Sequence, residues 1–155
     1  MLNITVVAKS AASPERVLAL AGTDFSARRA KVWGNVKESR LAVHERGATH
    51  VEVTEYGTGP AWFAWERSRY DWSQPGSVTA TVTDSNVYAV PGSSWELRAS
   101  PNANGSRVEM IWVRRFRPGP RGAIFGTLFR LIGRPIFRRY ASDTLENLRK
   151  LKQPD

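Results

Sequence analysis

Cysteine is absent from all 155 residues, which removes disulfide frameworks, thiolate nucleophiles and sulfur-ligated zinc together. Histidine is nearly absent, with only His44 and His50. No third histidine accompanies them, and both fall on the strand parity assigned to solvent, so no metal site is expected. No serine stands in a nucleophile elbow, leaving covalent catalysis without a candidate. The segment "YGTGPAW" lacks the later glycine and the lysine of a phosphate loop and joins strand to strand. No cofactor is expected. No window approaches the roughly 18 apolar residues of a spanning helix. The start "MLNITVVAKS" has neither the basic opening nor the unbroken apolar stretch of a secretory signal. These absences predict a cytoplasmic protein.

The length suits a single domain over residues 1–155, able to bury a core without staples. The net charge of +9 is unevenly placed. Residues 1–113 hold 12 Lys/Arg against 11 Asp/Glu, whereas residues 114–155 hold 11 against 3. Basicity therefore belongs to the C-terminal quarter, where "WVRRFRPGPRGAIFGTLFRLIGRPIFRRY" mixes eight arginines with Phe125, Leu128, Phe129, Ile132 and Phe137. A nucleic acid, an anionic membrane and the lid of an apolar cavity each favour such a mixture.

Along the chain the periodicity changes in a definite order. "LNITVVA" alternates like a half-buried strand. "SPERVLALAG" opens on Ser13 as N-cap with Pro14 at the first helical position and stops at Gly22, while "DFSARRAKVW" adds a second short helix capped by Asp24. Six strands follow, separated by glycine-bearing turns: "ESRLAVHE", "THVEVTEY", "WFAWERSRYDW", "SVTATVTD", "SWELRA" and "RVEMIWVRRF", the last two joined at Asn104-Gly105. After Pro118 the period is helical again, with an apolar stripe at Ile124, Phe125, Leu128, Phe129 and Ile132 and a second at Phe137, Tyr140, Ala141, Thr144, Leu148 and Leu151. Gly133-Arg134-Pro135 between them is expected to break the helix and to act as a hinge.

This order, and the words "ASPERVLAL", "WERSRYDWSQPGSV", "GSSWELRASPNANGSRVEM" and "GPRG", resemble the START-like or SRPBCC superfamily of polyketide cyclases and lipid-transfer proteins. The resemblance implies an α+β helix-grip fold: a curved seven-stranded antiparallel sheet around a long C-terminal helix, two short helices after strand 1, and an apolar cavity between. It also implies either binding or transport of an apolar or lipid-like small molecule, or an aromatase/cyclase-type enzyme acting on a polyketide-like substrate. Interaction with nucleic acid or a protein through the basic region is a third reading, of which the nucleic-acid form is disfavoured because the phenylalanines fall on apolar helical stripes.

If the concave face of each strand is its more apolar set, Leu41, Val43, Val51, Val53, Val82, Trp95, Leu97, Met110 and Trp112 point inward. The same parity sends Ser68 and Tyr70 inward and takes Glu66 with them, where a carboxylate needs a partner or a raised pKa. Arg114, on the parity of Met110 and Trp112, is the expected partner, either as a ligand-orienting pair or as a structural one. A one-residue bulge would swap Trp65 for Glu66. The expected lining, of a cavity of about 300–1,000 Å³, is thus Glu66, Ser68, Tyr70, Val82, Trp95, Leu97, Met110, Trp112, Arg114, Phe125, Phe129, Phe137 and Tyr140. Glu66 and Tyr70 are the candidates for proton transfer. Arg121, Arg130, Arg134 and Arg138 are expected to face an anionic membrane peripherally.

Overall fold

The computed structural model describes residues 1–37, 40–58 and 62–151. Strand β1 (Leu2–Ser10) leads to α1 (Pro14–Val17), which runs on as a π-helical turn over Leu18–Thr23, and then to α2 (Arg29–Val32). Ser13 caps α1 by accepting from the Arg16 N–H at 3.3 Å, with Pro14 in the first turn where its missing donor costs nothing. The second helix begins later than expected. Asp24 does not cap it but accepts from the Ser26 N–H at 2.9 Å, closing a local turn, and pairs with Arg28. Only Arg29–Val32 then has helical continuity.

The meander follows as β2 (Ala42–Arg46), β3 (His50–Tyr56), β4 (Trp65–Asp71), β5 (Ser77–Ser85), β6 (Ser94–Asn102) and β7 (Gly105–Arg114). All pairings are antiparallel, and the order is β1-β7-β6-β5-β4-β3-β2. The β6–β7 hairpin turns on Ala103 and Asn104, with Asn102 opposite Gly105. Gly105 has φ +135°, and a Cβ there would lie 2.1 Å from the Ser10 carbonyl oxygen, so the turn requires glycine twice over. β2 is an edge strand exposed along its length, which corrects the expected inward position of Val43.

One helix closes the fold. α3 runs unbroken over Pro120–Lys150, correcting the expected break at Gly133-Arg134-Pro135. Proline removes the bond to the carbonyl four residues back, that of Leu131, and Leu131 is 75% exposed, so water can serve that oxygen. On the opposite side Gly133 lies against Leu2 and Ile4 of β1, and Phe137, Ala141, Thr144, Leu145 and Leu148 are buried. That packing holds the helix through the proline. The C-terminal half is also tied down by Asn147 donating to the Val32 carbonyl at 3.2 Å and by Arg16 donating to the Leu151 carbonyl at 2.5 Å.

Candidate functional site

Between the sheet and the middle of α3 lies a cavity of about 140 Å³, walled by Trp33, Trp65, Trp112, Phe129, Phe137 and Tyr140. It adjoins an inner chamber of about 60 Å³ reached by Tyr70 and Trp95, and Glu55, Glu66, Trp112 and Arg114 line both. These volumes fall below the expected 300–1,000 Å³. Aromatic packing fills the remainder: Trp33 stands edge-on to Trp95 at 5.5 Å, and Phe137 lies 4.8 Å from Trp112. A wider depression of about 680 Å³ between β1, α1 and the end of α3 is an open groove rimmed by charged side chains and is not this cavity.

Two polar groups sit in the apolar interior, and they are built differently. The first is a closed triangle. Arg29 donates through Nε to Glu55 Oε1 at 2.5 Å and through Nη2 to the Tyr70 hydroxyl at 2.9 Å, while that hydroxyl donates to Glu55 Oε2 at 2.6 Å. Arg29, Glu55 and Tyr70 are all buried, and the guanidinium lies 4.3 Å from the Phe25 ring centre. Burial opposes the Arg29 charge, but Glu55 and Tyr70 outweigh it and hold the pKa above its usual value. The Tyr70 hydroxyl is pushed well up, first by burial and then by Glu55. Its one proton is committed to Glu55, which leaves it a poor proton carrier.

The second group is open. Arg114 Nη2 stands 3.6 Å from Glu66 Oε2, so strand parity had brought together the right two side chains. Yet the separation exceeds that of a charge-assisted hydrogen bond. Arg114 Nη1 donates to the Ser94 carbonyl at 3.4 Å, but among the described residues buried Arg114 Nε has no hydrogen-bond partner, and neither has buried Nε1 of Trp95, a residue that lines the inner chamber. Burial raises the Glu66 carboxyl above its ordinary range, with Arg114 drawing it partly back. Burial likewise opposes the Arg114 charge, and Glu66 and Tyr88 more than restore it. The guanidinium lies 4.7 Å from the Tyr88 ring centre, and burial pushes the Tyr88 hydroxyl up to about 12.

The register around Glu66 is as parity requires, because the irregularity falls on the neighbouring strand. Glu66 pairs with Glu55 across β3–β4, and the β4–β5 ladder passes from Arg67↔Asp84 to Ser68↔Val82, leaving Thr83 as the extra residue. Trp65 still reaches the outer cavity beside Glu66.

Several expected lining residues are placed elsewhere. Ser68 and Val82 are buried opposite one another but line neither chamber. Leu97 and Met110, paired across β6–β7, lie in solid core, where the π-helical turn brings Gly22 against Leu97 and Val78. Phe125 lies outside the cavity, 5.4 Å from the Phe63 ring, on a separate depression with Arg117 and Arg121. Arg121, Arg130, Arg134 and Arg138 are all exposed.

Sequence reasoning missed Arg29 and Glu55, although both left a signal. Glu55 continues the inward parity of Val51 and Val53. Arg29 stands four residues after Phe25 and three and four before Val32 and Trp33, the sequence spacing of an apolar helical face, and all four are buried. An ionisable residue on each of two apolar faces is a pair waiting to be matched.

A sheet that grips one long helix over an aromatic cavity defines the START-like, helix-grip class. The profile of the family described as polyketide cyclase / dehydrase and lipid transport matches residues 1–152, and the chain belongs to that family. No curated protein sequence matches it. An aromatase/cyclase from a Streptomyces species shares the fold with a TM-score of 0.76 at 12% identity, covering 97% of this chain and 96% of that one. A protein from Thermus thermophilus gives 0.73 at 15%, covering 96% and 95%. A START superfamily protein from Mycobacterium smegmatis gives 0.62 at 13%, covering 96% and 92%. At these identities the likeness is one of fold.

Proposed function

We propose that the protein binds an apolar small molecule bearing a hydrogen-bond acceptor, with the apolar part against Phe129, Phe137, Trp112 and Tyr140 and the acceptor on Arg114 and Trp95. The reading rests on one observation: Trp95 and Arg114 both line an aromatic-walled chamber, and Trp95 Nε1 and Arg114 Nε are buried without partners among the described residues. A buried donor left unsatisfied costs about 1–3 kcal/mol, more when charged, and a ligand oxygen would remove that cost. The outer cavity is close in size to one that holds a single benzene-sized ring. Larger ligands require the aromatic walls to move.

Native mass spectrometry of the purified protein, followed by organic extraction, tests for a retained ligand. Titration with an anilinonaphthalene sulfonate dye tests the site directly. The dye should bind, and Arg114→Met should weaken it by about tenfold or more. Equal binding by the variant would assign the dye to another surface and remove the support from Arg114.

A second reading, an aromatase/cyclase-type enzyme on a polyketide-like substrate, is favoured by Glu66. Its carboxyl, raised by burial, stands beside the Arg114 cation in the same chamber, within reach of a ligand that could exchange a proton with it. On that reading Glu66→Gln abolishes turnover while affinity persists. On the binding reading no turnover is found.

A further inference from the structure

Apolar side chains are uncovered on the first half of α3. Ile124 and Leu131 are 66% and 75% exposed, and Leu128 and Ile132 are 44% and 41% exposed. Ile124, Leu128, Leu131 and Pro135 recur at spacings of four, three and four, which places them on one side of the helix. Trp62, 66% exposed, and Phe63 extend this surface through the Phe63–Phe125 ring contact. Of the stripe expected from the sequence as a cavity lid, Phe129 reaches the cavity wall, whereas Ile124, Leu128 and Ile132 are uncovered on an unbroken helix.

Charge is arranged around the same surface. Between Met110 and Ser142 the sequence holds eight arginines and no acidic residue. Arg114 turns inward to Glu66, and the other seven are exposed. Arg130, Arg134 and Arg138 recur every fourth residue along one flank of the apolar stripe, and Arg121 stands at its N-terminal end. Among the described residues, the ion pairs of α3 lie toward its other end, at Arg139–Asp143, Arg149–Glu146 and Lys150–Glu146.

We propose that the first half of α3 and the Trp62–Phe63 turn form a docking surface for an anionic lipid bilayer. The helix lies in the plane of the interface, with its aliphatic stripe at the acyl boundary, Trp62 at headgroup depth and the arginine row on the lipid phosphates. A second copy of the chain packed antiparallel on this surface would set one arginine row against its like. A nucleic acid would leave the aliphatic stripe without a partner. The surface is continuous with Ala64 and Trp65 of the cavity wall, so docking would bring the cavity close to the lipid. The proposal does not depend on what the cavity holds.

Co-sedimentation with phosphatidylcholine vesicles, with and without phosphatidylserine, tests it. Wild-type protein should partition onto the phosphatidylserine vesicles and leave them as salt is raised. Arg130→Gln/Arg134→Gln/Arg138→Gln should weaken partition on the order of 100-fold, and Ile124→Ser/Leu131→Ser by roughly tenfold or more. Tryptophan emission should shift to the blue with these vesicles in wild type and much less in Trp62→Phe. Thermal melts matching wild type would show that the variants remain folded. Absence of vesicle binding would overturn the proposal, as would equal partition onto pure phosphatidylcholine, tighter binding to an oligonucleotide, or a concentration-dependent dimer that Leu131→Ser abolishes.

Discussion

Replacing Arg29 with methionine separates the two buried polar groups by what each does for folding. The substitution removes the Nε–Oε1 contact to Glu55 and the donor to Tyr70, and strands the Glu55 carboxylate at 8% exposure with a single hydrogen bond from the tyrosine. Breaking one side of a buried pair costs about 3–5 kcal/mol. For a domain of this length that lowers the melting temperature by about 10 °C. Glu55→Leu should cost as much, because it leaves the guanidinium uncompensated. Arg29→Met/Glu55→Leu removes both charges and leaves only the Tyr70 hydroxyl unsatisfied, at about 1–3 kcal/mol. Adding Tyr70→Phe should bring stability back to within roughly 1 kcal/mol of wild type. Urea denaturation of the cycle measures all of this. Two singles that simply add, or either single costing less than about 1 kcal/mol, would refute the account of a closed triangle with strong internal coupling.

The Glu66 carboxyl is raised by burial, so its ionised form weighs against folding. Stability relative to Glu66→Gln should therefore be greatest below the usual carboxylate pKa and decline as pH rises through the raised value, read from urea midpoints between about pH 4 and about pH 7. A difference moving in favour of wild type with rising pH would reverse the assignment. Pro135→Ala restores a helical N–H at an exposed position, and the gain from helix propensity, reduced by the freer unfolded chain, should be about 1–2 kcal/mol by chemical denaturation. Gly22→Ala puts a methyl group 2.6 Å from Val78 Cγ2 and should cost about 1–3 kcal/mol, most of it recovered in Gly22→Ala/Val78→Ala.

Strand order and parity were legible because the period of two is strict and each turn carries its own chemistry. Val51, Val53, Tyr70, Trp95 and Trp112 all lie where alternation puts them, and so do Glu66 and Arg114. What the pattern does not carry is depth. Leu97 and Met110 face the same side as Trp95 and Trp112, but only a folded chain reveals that the first two lie in the core, with the π-helical turn against Leu97, while the others reach the cavity. The α3 stripes were read correctly as periodicity and wrongly as two helices. Proline's local cost was weighed without the packing of Gly133 on Leu2 and Ile4 that outweighs it. The Arg29–Glu55–Tyr70 triangle escaped because its members lie on three elements, and each alone resembles an ordinary charged or aromatic residue.

The pairing of β1 with β7 has a consequence for how the chain comes off the ribosome. β1 is made before the meander, yet its ladder, from Leu2↔Arg114 to Ser10↔Ser106, joins residues roughly a hundred positions apart, and the helix segment that covers Leu2 and Ile4 is made later still. The meander from β2 to β6 can zip by neighbouring hairpins as it emerges, whereas β1 must wait with an unpaired edge and an uncovered apolar face. Co-translational folding of the sheet is thus gated by the synthesis of β7 and α3. Translational pausing before β7 would lengthen the interval in which the nascent chain needs a chaperone.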